Sequence, residues 1–212
     1  MRLMSEFGRR IGYSEKVIEH FMNPRNIGKL EDADATAIVG SVACGDLIKF
    51  YIKVDPETDR ITDIRFESYG CASNIATSSM TTVMAKGKTL EEAKKITFKQ
   101  VAEALGGLPK TKMHCAVLSI TGLHAVIMKY EAKIGRIPID EHFVRRMLRG
   151  VLDPLKGVDV ITAGEVENVK VDGKEITIRF SLPREDEAAS IIEEEVREAF
   201  QGLDVRLNLI FS

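Results

Sequence analysis

Tryptophan is absent, cysteine occurs only three times, and aromatic residues make up 6% of the 212-residue chain. An odd number of widely spaced cysteines is a poor disulfide framework, so a small disulfide-stapled fold is not expected and a reducing, cytoplasmic compartment is. No run of about 18 consecutive apolar residues is present, and no membrane span is expected. The segment Met1–Arg10 has basic residues but no apolar stretch of a secretory signal. Neither sign of charge dominates: 30 Lys and Arg face 32 Asp and Glu, for a net charge of −2, which gives no electrostatic footprint for nucleic acid. What remains is an ordinary globular composition, 44% hydrophobic and 29% charged, with material for one large or two small cores. The charge is unevenly spread. Residues 1–136 hold 20 basic and 16 acidic side chains, and residues 137–212 hold 10 and 16, so the two parts are +4 and −6. That asymmetry supports a two-part chain and permits electrostatic docking of one part on the other.

The three cysteines lie in Ala43-Cys44-Gly45-Asp46, Tyr69-Gly70-Cys71-Ala72 and Met113-His114-Cys115-Ala116. A free cysteine is ordinarily a small buried hydrophobe, and three of them form a common site in only a minority of chains. Here two have an added ligand-type side chain within reach, Asp46 and His114. Thiolates select zinc, copper(I) or iron–sulfur species, and imidazole or carboxylate can complete such a site. Glycine beside Cys44 and Cys71 allows backbone conformations suited to a loop that turns its thiol toward a partner.

Periodicity divides the chain into two α+β units. Ser14 is the expected N-cap of a helix ending at Asn23-Pro24. Strands are expected over 36–42, 47–54 and 61–69 as an antiparallel meander, with Cys44 in its first turn and Cys71 just past its third strand. Helices follow from Cys71 to Gly87, over 90–95, from Thr97 to Gly106, and from Met113 to Ile134. Cys71 and Cys115 therefore fall near helix beginnings, where the macrodipole favours a thiolate. Past Gly135-Arg136-Ile137-Pro138 a second unit is expected. It comprises a short helix over 141–148, a hairpin turning at Asp172-Gly173, an acidic helix over 185–200 and a closing strand over 205–211.

Six ordered motifs then converge: Tyr13 to Phe21, Asn23-Pro-Arg-Asn-Ile-Gly28, Ala43 to Asp46, Tyr69-Gly-Cys71, Lys86-Gly-Lys88 and His114-Cys115. Over residues 13–134 the chain resembles the iron–sulfur cluster scaffold family of IscU and the N-terminal domain of NifU. The resemblance implies an IscU-like three-stranded antiparallel sheet packed with helices, a scaffold domain at 1–136 and a small accessory α+β domain at 137–212. The latter loosely resembles the SufT and PaaD-like iron–sulfur assembly family through Asp153-Pro154, Gly157-Val158, the hairpin and the acidic helix. Family members often carry a cysteine before that helix, where this chain has Leu182-Pro183-Arg184-Glu185.

Carried onto this chain, the family pattern implies Cys44, Cys71 and Cys115 as cluster or iron thiolates, Asp46 as the carboxylate that keeps the site labile, and His114 as an alternative ligand. Cys115 is the implied acceptor of persulfide sulfur from a cysteine desulfurase of the IscS or NifS type. The implied role is a non-enzymatic scaffold and carrier of [2Fe–2S] clusters, with [4Fe–4S] as a further form. Apo iron–sulfur proteins and an electron donor such as a ferredoxin are the other implied partners. Leu108-Pro109-Lys110-Thr111-Lys112 lacks the second proline and valine of the family's chaperone-recognition segment, so that partner is not expected. The rivals are a zinc protein, structural or regulating a desulfurase, with the same ligands, and a Cys–His enzyme. Adjacent residues on a helix diverge by about 100°, which disfavours the enzyme.

Overall fold

The computed structural model describes residues 12–41 and 45–212. Cys44 therefore lies outside the described residues, as does the expectation that it sits in the first turn of the meander.

The first helix, α1 (Glu15–Met22), is capped by Ser14, whose hydroxyl accepts the Val17 N–H, and stops at Asn23 before Pro24. Three antiparallel strands follow: β1 (Ala35–Ser41), β2 (Asp46–Asp55) and β3 (Arg60–Tyr69), in the order β1-β2-β3. Ile48, Phe50, Ile52 and Val54 alternate along β2 and bury one face of the sheet. Against that face lie α2 (Ala72–Ala85) and α5 (Met113–Lys133), with the short α3 (Leu90–Lys94) and α4 (Phe98–Ala104) between them. Thr89 and Thr97 close α3 and α4 with capping boxes, a Glu or Gln at the third position returning the hydrogen bond. Gly122 lets α5 settle on the sheet: a Cβ there would stand 2.6 Å from the Phe50 ring and 2.9 Å from Val39.

By length and mean hydropathy, α5 together with the turn before it is long and apolar enough to cross a membrane. Its apolar side chains, among them Leu118, Leu123, Val126 and Ile127, instead pack in the core.

A second hydrophobic cluster forms around α6 (Glu141–Leu148), β6 (Val166–Asp172), β7 (Glu175–Phe180), α7 (Glu187–Ala199) and β8 (Arg206–Phe211). The order β6-β7-β8 has β7 antiparallel to β6 and parallel to β8, with α7 as the crossover. Two features differ from the sequence expectation. Asp172 pairs with Glu175, so the hairpin turns at Gly173-Lys174, one residue later. Gly173 supplies φ +58°, the positive value that a tight two-residue turn needs at its first position. The two-residue strands β4 (Leu152–Asp153) and β5 (Val158–Asp159) also form a small hairpin, too short to leave a periodic signal.

The second cluster is not separate from the first. Ala132 of α5 belongs to it and Met128 packs against it. Gly150 lies so close to β1 that a Cβ would be 2.3 Å from the Ile38 carbonyl oxygen, and Leu152 rests against Gly40. Lys49, on the opposite face of β2 from Phe50, pairs with Glu198 of α7 at 2.5 Å.

Candidate metal centre

Register brings the first two site residues together. Leu47 pairs with Tyr69 across β2 and β3, which sets Asp46 beside Gly70 and Cys71. Cys71 is the N-cap of α2 in extended conformation, and its own N–H donates to Asp46 Oδ1 at 3.0 Å. The third residue arrives on α5. Cys115 is buried in the first turn of that helix, and the Thr77 hydroxyl of α2 shares its proton between the Asn74 carbonyl at 3.0 Å and the Cys115 carbonyl at 3.2 Å. The α2–α5 contact thus sets the distance between the two thiols.

Asp46 Oδ2 stands 3.7 Å from Cys71 Sγ and 3.7 Å from Cys115 Sγ, and the two sulfurs are 3.7 Å apart. That separation is far beyond the ~2.0 Å of a disulfide. A tetrahedral metal with sulfur at about 2.3 Å and oxygen at about 2.0 Å has S–S and S–O edges of about 3.8 and 3.5 Å. The three side chains therefore already describe one face of such a tetrahedron, and their ligand atoms all lie within 4.8 Å of one another. Asp46 is 3% exposed, so its carboxylate is held rather than solvated.

The Cys71 thiol is pulled down to about 6, first by the hydrogen bond with Cys115, then by the Asn74 N–H in the first turn of α2 and by the Lys112 charge. Burial and the nearby Asp46 charge act the other way. Lys112 Nζ is 4.0 Å from Cys71 Sγ, and the thiolate in turn holds its ammonium above the usual lysine range. Sequence proximity pairs Lys112 with Cys115; the fold aims it at Cys71.

Of the residues singled out by sequence, Asp46, Cys71 and Cys115 converge. His114 does not join their group, and its Nε2 is buried with no hydrogen-bond partner. His20 and His124 are tied into the packing: His20 Nδ1 meets Ser79 Oγ at 2.8 Å and His124 Nε2 meets the Lys94 carbonyl at 3.1 Å. Glycine acts differently at two of these positions. Gly45 takes φ +67°, whereas Gly70 is not left-handed and is required for space. Sequence reasoning missed Asn74, fully buried beside Asp46; the one available signal was an amide in the first turn of a helix that starts at a cysteine.

An α+β domain with a thiol–carboxylate site at the loop ends of a three-stranded meander defines the class of protein. Residues 12–136 match the family described as the NifU-like N terminal domain, and this chain belongs to that family. Residues 141–205 match a second family, described as an iron-sulfur cluster assembly protein. The chain is 59% identical over 125 residues to the iron-sulfur cluster assembly scaffold protein IscU 1 of Archaeoglobus fulgidus, covering 59% of this chain and 80% of that protein. It is 48% identical over 128 residues to the IscU scaffold protein of Haemophilus influenzae, covering 59% of this chain and all of that protein. To the nitrogen fixation protein NifU of Trichormus azollae it is 46% identical over 136 residues, 61% of this chain but 44% of that protein.

Proposed function

We propose that this protein is a non-enzymatic scaffold on which iron–sulfur clusters are built and from which they pass to apo-proteins. The observation that carries this reading is the convergence of Asp46, Cys71 and Cys115 at tetrahedral edge distances. Iron binds Cys71 and Cys115 with Asp46; Cys44 is the third thiolate and His114 an alternative ligand. Three thiolates with one carboxylate suit a cargo site, because mixed ligation holds a cluster less firmly than four thiolates.

Sulfur arrives by attack of the Cys115 thiolate on the terminal sulfur of a cysteine desulfurase persulfide. The S–S bond of the donor breaks, its cysteine leaves as thiolate, and a persulfide forms on Cys115. Two electrons from a donor such as a ferredoxin then release sulfide and restore the thiolate. The product is a [2Fe–2S] cluster, with [4Fe–4S] as a further form. Residues 1–136 are the scaffold domain, and 137–212 an accessory domain for docking clients or partners in a reducing cytoplasm. No role is assigned to a chaperone at Leu108–Lys112.

The test is anaerobic reconstitution of the full chain with ferrous iron, cysteine and a cysteine desulfurase, followed by visible absorption and by iron, sulfide and zinc analysis. A sulfide-containing chromophore lost in Cys71→Ser, Cys115→Ser and Cys44→Ser is the expected result. Tightly held zinc without sulfide would make this a zinc protein instead, since the same donors suit zinc. Asp46→Ala is expected to retain the chromophore and to transfer it more slowly to an apo-ferredoxin; equal rates would remove the carboxylate from the release step.

A further inference from the structure

Among the described residues, four buried side-chain atoms have no hydrogen-bond partner, and one belongs to a neighbour of Asp46: Asn74 Oδ1. Asn74 sits in the first turn of α2 and is fully buried. Its Nδ2 donates to Ser68 Oγ on β3 at 3.2 Å. Between Asn74 and Asp46 lies Gly70. A Cβ on Gly70 would stand 2.5 Å from Asn74 Nδ2, 2.6 Å from Asp46 Oδ1 and 2.9 Å from Asp46 Cγ. Both side chains thus border the space that Gly70 leaves open. A buried amide with an unused acceptor is destabilising, and an apolar residue there would avoid that cost.

We infer that Ser68, Gly70 and Asn74 form a positioning slot for Asp46. A carboxylate rotates readily about its last bond and can offer a metal one oxygen or two. Here Oδ1 is tied to the Cys71 N–H and faces the slot, and Oδ2 alone faces both thiols. Ser68 orients the Asn74 amide; Asn74 fills the volume into which the carboxylate would otherwise turn; Gly70 leaves room for both. None of the three touches the metal position. They act through Asp46, as outer-shell groups that orient a ligand commonly do. This inference rests on the reading of Asp46, Cys71 and Cys115 as ligands.

Cobalt(II) is the probe, titrated anaerobically into the full chain. Its near-ultraviolet thiolate charge-transfer band counts sulfur ligands, and its visible ligand-field bands report geometry and oxygen ligation. Asn74→Ala is expected to weaken Co(II) binding about ten-fold and to move the ligand-field envelope toward that of Asp46→Ala, with the charge-transfer intensity unchanged. Ser68→Ala should shift both in the same direction by less, and Gly70→Ala by more. In the double variant Asp46→Ala/Asn74→Ala, the second substitution should add nothing. A merely structural role would leave the envelope of the bound metal alone, and the two losses would add. An unchanged affinity and spectrum in Asn74→Ala, or additive losses, would overturn the slot while leaving Asp46 a ligand. Should Asp46→Ala bind cobalt with wild-type affinity and spectrum, the ligand reading falls and the slot with it. Circular dichroism identifies a variant that has not folded; Asn74→Ala and Ser68→Ala, which remove atoms rather than add them, then decide the matter.

Discussion

Two helices of this molecule are buried by opposite means. The interior face of α7 is a hydrophobic stripe of Ala188, Ala189, Ile192 and Val196, with charged residues outside. In α2 the buried residues include Ser73, Asn74, Thr77, Ser78, Ser79, Thr81 and Thr82. All of these but Ser78 make side-chain hydrogen bonds. Ser73 donates to Tyr13, Thr77 to the Cys115 carbonyl, Ser119 to Thr81, and Asn26 to Thr82. A hydrophobic stripe stabilises strongly but tolerates small slides, whereas directional bonds favour one alignment and contribute only about 1 kcal/mol each. The helix that begins at Cys71 is the one fastened by hydrogen bonds.

The largest effect should come from the hydrophobic helix. Ile192→Ala is expected to destabilise the second unit by about 2–5 kcal/mol in urea unfolding. Metal affinity at the distant thiols should change less than twofold. On the polar helix, Thr77→Val keeps the shape and removes the bond to Cys115, so stability should fall by only about 1 kcal/mol. Metal affinity should nevertheless drop severalfold, because the α2–α5 alignment loosens. Should Thr77→Val lower stability and affinity in the pattern of Ile192→Ala, the distinction between the two helices would fail.

A pH dependence sharpens the contrast further. Ser79 Oγ accepts the Arg25 N–H at 2.8 Å and also meets the buried His20 Nδ1 at 2.8 Å. Burial holds the His20 imidazole below its ordinary value, reinforced by the charges of Arg25 and Lys16 and opposed by Glu19. The sign follows from linkage. Below about 6.5 the unfolded chain takes up a proton that the folded chain refuses, so stability is complete above that pH and falls as pH drops toward the lowered folded value. His124, lowered mainly by burial, acts in the same direction. His20→Gln should therefore make the acid decline below about pH 6.5 shallower without abolishing it. An unchanged slope in equilibrium unfolding would mean that His20 is protonated in the fold.

The hydrophobic elements were legible in sequence because their periods are local. Ser14, Thr89 and Thr97 cap helices where Ser and Thr before an apolar run indicate, and the β1-β2-β3 meander follows from alternation and turn residues. The ligand types at Asp46, Cys71 and Cys115 were legible from their neighbours. The aim of Lys112 at Cys71 depends on how α5 meets α2, and the slot at Gly70 on the β2–β3 register. Both are long-range properties that no local window contains. The polar α2 is the instructive case: Ser and Thr ordinarily indicate an exposed helix face, and only their partners, such as His20 on α1 and Ser119 on α5, make them interior.

The smallest effect concerns how the two units meet. The charges of +4 and −6 invite an electrostatic account of docking. Among the described residues, however, the ion pair that crosses from residues 1–136 to 137–212 is Lys49–Glu198, with side chains 24% and 45% exposed. Such a pair contributes about 0.2–1 kcal/mol and is screened by salt. Lys129, buried nearby in α5, is pulled down to about 8 by burial, with the Glu198 charge opposing. The close contacts are uncharged: Gly150 on the Ile38 carbonyl and Leu152 on Gly40. A double-mutant cycle of Lys49→Gln and Glu198→Gln should give a coupling of less than about 1 kcal/mol that vanishes in 1 M salt. A salt-resistant coupling of several kcal/mol would instead place the docking energy in charge. Packing of α6 and the β4–β5 hairpin on β1 would then be secondary.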